Sequence, residues 1–218
     1  MAVRRAIFAR CFFKMMSHTT PVLLARRIAN LTDARYFAAK EVQWLFFNLE
    51  AGTPGYLDPV YMQAMREWVE GPLIGAEFEH TPAAVINEAV AFYRLDGVAV
   101  PVTTDIDALN AAVILVKIAL DHPDIAAVMA QYAEKVTAWI IELPAGTSSW
   151  MEAAETVQPM TELYQIALQY NASAEEVADV VSCVAPWGLG FAGGEEEAVG
   201  VKSFDELELI FDTLEGNI

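Results

Sequence analysis

From residue 21 onward, apolar and polar positions follow one repeated plan. A short, almost unbroken apolar run comes first, then a polar turn, then an amphipathic stretch with apolar residues every three or four positions. Runs of the first kind fall at 22–28, 44–49, 72–78, 97–102, 113–119, 138–143, 164–170 and 187–192. Apolar runs of this length, without alternation, are the pattern of parallel strands buried on both faces. The amphipathic stretches fall at 33–42, 58–70, 82–94, 105–111, 123–135, 149–160, 173–185 and 203–215. Helix starts are marked by Ser173 before Glu175 and Glu176, and by Ser203 before Asp205 and Glu206. Asp58-Pro59 and Thr81-Pro82 put proline at a first helical position. Eight strand–helix units in about two hundred residues predict an α/β protein with a single closed (β/α)8 barrel, a TIM barrel. The competing architecture is a doubly wound open sheet. That fold wants a glycine-rich turn after its first strand, and Ile28-Ala29-Asn30-Leu31-Thr32 has no glycine. The fourth unit is the weakest, since residues 103–112 are few for a crossover helix.

Composition changes the picture in two ways. The hydrophobic content of 55% exceeds the globular average, as a barrel of fully buried strands requires. The net charge of −17 argues against nucleic acid and anionic membrane surfaces as partners. No apolar run reaches the roughly 18 residues of a membrane span. The charge is uneven: Arg4, Arg5, Arg10 and Lys14 precede the first acid, Asp33. Residues 1–18 therefore read as a basic leader, disordered or an over-extended start with Met15 or Met16 as the initiator; an organelle-targeting peptide is the sharper alternative. Residues 19–218 form the barrel domain. Cys11 and Cys183 give neither a metal spacing nor a disulfide framework, so a reducing cytoplasm is the expected location. Cys183, among Val180, Val181 and Val184, is expected in the core.

In a barrel of this kind, chemistry sits at the C-terminal strand ends. The residues expected there are Ala29, Asn30, Asn48, Glu50, Glu79, His80, Thr103, Thr104, Asp121, His122, Glu142, Asn171, Gly193 and Gly194. The set is rich in acids and amides and poor in bases. Gly193 and Gly194 at the end of the last strand let backbone N–H groups approach an anion, but Glu195, Glu196 and Glu197 follow at once. Asp121-His122-Pro123-Asp124 reads as a helix-start turn rather than a metal cluster, and no cofactor or metal is expected. Among Trp44, Trp68, Trp139, Trp150 and Trp187, most are expected in the core, and Trp150 is the one expected to face a pocket.

Several ordered stretches resemble one enzyme family. Arg27-Ile28-Ala29-Asn30-Leu31-Thr32-Asp33-Ala34 is similar to a Lys-Ile-Cys-Gly-Leu-Thr opening followed by Asp-Ala. Thr53-Pro54-Gly55-Tyr56-Leu57 is similar to a Ser-Lys-Arg-Tyr-Ile loop. Ile74-Gly75-Ala76-Glu77-Phe78 resembles a Val-Gly-Val-Phe third strand. Gly193-Gly194-Glu195 and Val199-Gly200-Val201-Lys202 resemble Ser-Gly-Val-Glu and Pro-Gly-Val-Lys. These are the stretches of the phosphoribosylanthranilate isomerases of tryptophan biosynthesis, and the likeness runs over residues 22–216.

The resemblance implies an Amadori rearrangement of a phosphoribosyl amine to an amino-ketose. The family's general base is a cysteine at the end of strand one, and its general acid an aspartate at the end of strand six. Those positions hold Ala29 and Glu142 here. A methyl group takes no proton, and glutamate moves the carboxyl by one methylene. Glu142 reads either as the surviving acid or as a carboxylate paired with Lys117 across the barrel mouth. His80 or Glu79 is the best substitute base. The family's loop arginine is Gly55. Gly193, Gly194 and the backbone at Ser203 remain as the expected phosphate cradle, with Asn30, Asn48 and Asn171 as further ligand-binding positions. Two functional expectations follow: an isomerase-like barrel with activity impaired or lost, or a non-catalytic or repurposed barrel that binds another small molecule or a protein. Either way a small molecule is expected at the C-terminal face of a monomer or homodimer.

Overall fold

The computed structural model describes residues 20–144, 147, 149–171, 173–192, 196–198, 201–202 and 204–216. Eight parallel strands close into one barrel in sequence order: β1 (Val22–Ile28), β2 (Trp44–Asn48), β3 (Leu73–Glu77), β4 (Gly97–Pro101), β5 (Ile114–Ala119), β6 (Ala138–Glu142), β7 (Ile166–Gln169) and β8 (Gly188–Ala192), with β8 pairing back to β1. Each expected apolar run contains one of these strands. The helices of the outer layer are α1 (Leu31–Ala39), α2 (Pro59–Trp68), α3 (Ala83–Tyr93), α4 (Ile125–Gln131), α5 (Trp150–Leu163), α6 (Ala174–Val184) and α7 (Asp205–Gly216). A two-stranded antiparallel hairpin, β9 (Glu196–Ala198) and β10 (Val201–Lys202), stands between β8 and α7.

The fourth unit departs from the expected helix over 105–111. A single 3-10 turn, Ile106–Ala108, makes the crossover there. Asp105 caps it by accepting from Ala108 N, and Asn87 of α3 clamps it by donating to Ala108 O at 2.8 Å and accepting from Asn110 N at 2.8 Å. Side-chain clamping replaces the helix that ten residues are too few to form. Ser173 stands at the cap position of α6 without a capping hydrogen bond from its side chain, and Ser203 lies outside the described residues. Asp58 accepts from Val60 N and Tyr61 N with Pro59 at the first helical position, whereas Pro82 is itself the cap and Ala83 the first helical residue. Cys183 corrects the expectation of burial: α6 buries Val177, Val180 and Val184, and that stripe turns Cys183 outward, exposed.

The apolar side chains divide between two cores. The larger lies between strands and helices and includes Phe37, Phe47, Met62, Trp139, Trp150, Phe191 and Phe211. Trp150 therefore belongs to the core rather than to a pocket; it is fully buried, with its indole N–H donating to Gln169 O at 3.2 Å. Trp68 departs in the opposite sense and is exposed. The smaller core fills the barrel itself with Leu24, Trp44, Phe46, Ala99, Leu115, Ala138, Ile140 and Ala167. These are the inward positions of successive layers, each supplied by alternate strands. Phe46, Ala99 and Ile140 come from even-numbered strands, and Leu24, Leu115 and Ala167 from odd-numbered ones. Phe46 lies across Gly75, where an added Cβ would stand 2.4 Å from its ring. Phe46→Ala is expected to lower stability by about 3–5 kcal/mol, as for other fully buried aromatic truncations, and a denaturant melt measures it.

Candidate functional site at the mouth of the barrel

Above the apolar layers, the next inward position on every odd-numbered strand is polar: Arg26 on β1, Glu77 on β3, Lys117 on β5 and Gln169 on β7. The first three are buried. Arg26 and Glu77 form a two-point pair, Nε to Oε1 at 3.0 Å and Nη2 to Oε2 at 3.0 Å. Arg26 Nη1 donates to Gln169 Oε1 and lies 3.8 Å from Glu142 Oε1. Lys117 Nζ donates to Phe78 O at 3.2 Å, pairs with Glu79, and stands 3.9 Å from Glu77 Oε2. The backbone takes part as well. A register shift in β1 and a left-handed Arg27 (φ 54°) aim the Arg27 N–H at Glu77 Oε1, 3.2 Å away. Room for the guanidinium comes from β8, where a Cβ on Gly190 would lie 3.0 Å from Arg26 Cδ. Burial alone would raise the Glu77 pKa, but the charges of Arg26, Lys117 and Arg27 hold it below its ordinary value. The floor of the mouth is thus an ionic layer whose members satisfy one another.

Glu142, expected at the acid position, ends β6 with its side chain 38% exposed. Its near cation is Arg26, which corrects the expected pairing with Lys117: that ammonium is engaged by Glu79 and Glu77. Ala29, where the resemblance put the base, faces the loop after β2. Gly55 reaches over it in a left-handed conformation (φ 75°), where an added Cβ would lie 3.0 Å from Ala29 Cβ. Of the two candidate substitute bases, one is paired and the other is exposed to solvent. The Glu79 carboxylate pairs with Lys117 and lies 3.9 Å from Arg27 Nη2, while the His80 side chain is exposed and its backbone N–H serves Glu50.

The asparagines expected to bind ligand are engaged in holding loops. Asn30 caps α1, accepting from Asp33 N at 2.9 Å. Asn48 donates to Pro54 O at 2.9 Å and Thr53 Oγ1 at 3.1 Å and accepts from Glu50 N at 3.0 Å, which folds the loop carrying Gly55. Asn171, exposed, accepts from Gln169 Nε2 at 3.2 Å. Gly193, Gly194, Glu195 and Ser203 lie outside the described residues, as does the leader over residues 1–18. His122 sits in the turn before α4, its Nδ1 accepting from Asp124 N at 3.2 Å. Among the described residues no group of three or more His, Cys, Asp or Glu could hold a metal ion, and no helix is long and apolar enough to cross a membrane.

Glu50 plays a part that residue type alone did not reveal. A single oxygen, Oε2, accepts from the backbone N–H groups of Glu79 (2.8 Å), His80 (3.1 Å) and Thr81 (3.2 Å) and from Thr81 Oγ1 (2.8 Å). Successive backbone donors make an anion-binding concavity, and here a carboxylate of the chain itself fills it. Burial pushes the Glu50 pKa up, but these four donors outweigh it and hold the value below the ordinary one. The loops after β2 and β3 are thereby locked together.

No family model matches the chain, and no curated protein matches it by sequence. Solved structures match it by fold. The phosphoribosylanthranilate isomerase of Thermus thermophilus superposes with a TM-score of 0.70 at 20% identity, over 89% of this chain and 98% of that one. The isomerase of Thermotoga maritima gives 0.75 at 14% identity, over 90% and 99%. The 3-hexulose-6-phosphate synthase of Salmonella typhimurium gives 0.65 at 15% identity, over 90% and 99%. At these identities the likeness establishes the fold, a single (β/α)8 barrel like that of the isomerases.

Two acid-sensitive contacts follow from the site. Glu77 and Glu50 both have pKa values below their ordinary 4.5, so each contributes stability that is complete above that pH and is lost as pH falls through the lower folded-state value. Thermal melts at decreasing pH are expected to show stability falling below about pH 4.5, with a shallower fall in Glu50→Gln. Glu77→Gln is expected to lose about 3–5 kcal/mol at neutral pH, because it leaves Arg26 and Lys117 buried without their shared anion.

Proposed function

We propose that this chain is a barrel of the phosphoribosylanthranilate isomerase type in which the Amadori rearrangement is lost or severely reduced. The observation that carries this reading is the end of β1. Position 29 bears only a methyl group, and Gly55 of the neighbouring loop packs over it. The rearrangement needs a group that removes the C2 proton while another protonates the ribose ring oxygen. Glu142 is suited to the second role, at the strand-six position with a partly exposed carboxyl. Among the described residues the first role has no occupant of that kind: Glu79 is tied to Lys117, and Ala29 has no titratable atom. A positioned acid or base is worth roughly a hundred- to ten-thousand-fold in rate, so losing the base removes most of the catalysis even if substrate still binds.

In this reading the protein is cytoplasmic and its ligand binds at the C-terminal mouth, with Gly193, Gly194 and Ser203 as the proposed anion-binding backbone and Asn30, Asn48 and Asn171 as further proposed binding positions. A second reading, a barrel repurposed for a different and less anionic small molecule, is favoured by the ionic floor. Arg26 and Lys117 are already neutralised by Glu77 and Glu79, leaving neither as a free counter-charge for phosphate.

Purified protein given phosphoribosylanthranilate and followed by anthranilate fluorescence is expected to show no turnover above the uncatalysed background. Turnover within the ordinary enzymatic range of about 1–1000 per second, abolished by Glu142→Gln, overturns the proposal. Titration with reduced 1-(o-carboxyphenylamino)-1-deoxyribulose 5-phosphate, the compound bound in a solved isomerase, separates the two readings. Saturable binding without turnover supports an isomerase-like site, and no binding supports the repurposed barrel. Gly55→Arg is expected to destabilise the chain rather than restore a phosphate contact, because the substitution combines a left-handed backbone with a 3.0 Å approach to Ala29.

A further inference from the structure

One local irregularity gives the two arginines of β1 opposite environments. Ala25 pairs with Leu45 and Ile28 with Phe47, so Arg26 and Arg27 together stand opposite the single residue Phe46 of β2. A bulge of this kind breaks the two-residue alternation of a strand and re-aims its side chains. Arg26 is buried in the ionic floor, whereas the Arg27 side chain is 63% exposed. The Arg27 backbone is left-handed (φ 54°), and its N–H turns down to Glu77 Oε1. Its guanidinium goes the other way, to within 3.9 Å of Glu79 Oε1 by Nη2. Since β2 lies between β1 and β3 in the barrel, that approach spans the C-terminal end of β2. A separation of 3.9 Å is beyond hydrogen-bond length, and the same Glu79 oxygen accepts from Lys117. Glycine in this conformation would offer the same N–H to Glu77 with less strain. What arginine adds at position 27 is a solvent-facing guanidinium beside the mouth.

We propose that Arg27 is the ligand-binding residue that receives a carboxylate of the small molecule held at this mouth, an inference that rests on the ligand-binding barrel proposed above. Arg26 and Lys117 are buried and matched by Glu77 and Glu79, so neither can meet an anion from solution without giving up its partner. Arg27 can, because its guanidinium faces solvent and its approach to Glu79 is loose. The planar fork of a guanidinium matches the two oxygens of a carboxylate and holds them by two parallel hydrogen bonds. One guanidinium balances one negative charge. The partly exposed Glu79 carboxylate stands beside it, so a dianionic phosphate meets more repulsion there than a carboxylate does. The bulge thus separates two tasks within one residue: the backbone of Arg27 completes the ionic floor, and its side chain stands above that floor to select the charge of the ligand.

Titration calorimetry of the full chain tests this with two compounds: reduced 1-(o-carboxyphenylamino)-1-deoxyribulose 5-phosphate, and the same molecule made without its carboxyl group. The variants are Arg27→Gly and Arg27→Asn, two residues that accept a left-handed backbone. Each is expected to weaken binding of the carboxylated compound by about tenfold or more, the worth of a charge-assisted pair, and to leave binding of the carboxyl-free compound within about twofold. Melting temperatures are expected to stay level or rise, since the strain at position 27 is relieved while the N–H to Glu77 is kept. Unchanged binding of the carboxylated compound in both variants overturns the proposal and leaves the isomerase-like site standing. Equal weakening of both compounds overturns the assignment of the carboxylate to Arg27. Melting temperatures that fall together with affinity in both variants show that the side chain supports the fold rather than the ligand, which overturns the proposal too. If the unaltered chain binds neither compound, the isomerase-like reading and this proposal fall together.

Discussion

The two-point pair between Arg26 and Glu77 is the contact around which the mouth of this barrel is arranged. A guanidinium and a carboxylate withdrawn from water lose several kcal/mol of hydration each, and only good geometry and further hydrogen bonds offset that loss. The chain supplies both. Gly190 leaves space for the arginine stem, Gln169 takes Nη1, the Arg27 backbone turns inward to Glu77, and Lys117 adds a second cation beside it. Each partner comes from a different strand, so the pair sets more than its own two strands. It joins β1 to β3, and through Gln169 and Lys117 it reaches β7 and β5. The polar layer thus replaces an apolar one without leaving its charges unpaired.

That layer decides what the mouth can do. A substrate with a phosphate needs counter-charge that is free to meet it, and the two buried cations here are already matched by Glu77 and Glu79. The same holds for the loops. Asn48 and Glu50, which by residue type belong among ligand-binding groups, are turned inward to fix backbone. The Glu50 carboxylate sits in a concavity of N–H groups of the sort that elsewhere receives an anion from solution. In this chain the mouth is stabilised by the polar groups that a catalytic site would leave available. Glu142 keeps a partly exposed carboxyl, and His80 and Asn171 are exposed.

The barrel was legible in the sequence because buried parallel strands leave an unmistakable mark: eight apolar runs at regular spacing, each now occupied by a strand. Helix ends were legible where a cap side chain does the work, as at Asp58. The fourth crossover was not, since Asn87, the residue that holds it, lies in another unit. The ionic layer was missed for a subtler reason. In Leu24-Ala25-Arg26, Gly75-Ala76-Glu77, Leu115-Val116-Lys117 and Ala167-Leu168-Gln169, a polar residue follows an inward position by two, in every odd-numbered strand. Strand periodicity carried that signal, but it becomes visible only when four strands are compared in register, and each run taken alone reads as an apolar strand with a polar end. The pairing of Lys117 could not be read at all, because two glutamates separated by one residue, Glu77 and Glu79, compete with Glu142 for it. Trp150 and Cys183 exchanged their expected environments by similar local geometry: a helix start that tucks one inward, and a 3.6-residue stripe that turns the other out.

The departures from the isomerase pattern at positions 29 and 55 are best understood as one change rather than two. Gly55 adopts a backbone conformation that side chains disfavour, and it does so because Asn48 and Thr53 draw the loop down over the end of β1. In that position it touches Ala29, and a bulkier residue at either place would push the loop away. A small residue at 29 permits the tight loop, and the tight loop excludes an arginine at 55. The residues at 29 and 55 are therefore coupled through packing. Fold and function separate at such points: the strands keep the architecture shared with the isomerases, while a few contacts at the strand ends set the shape and chemistry of the mouth.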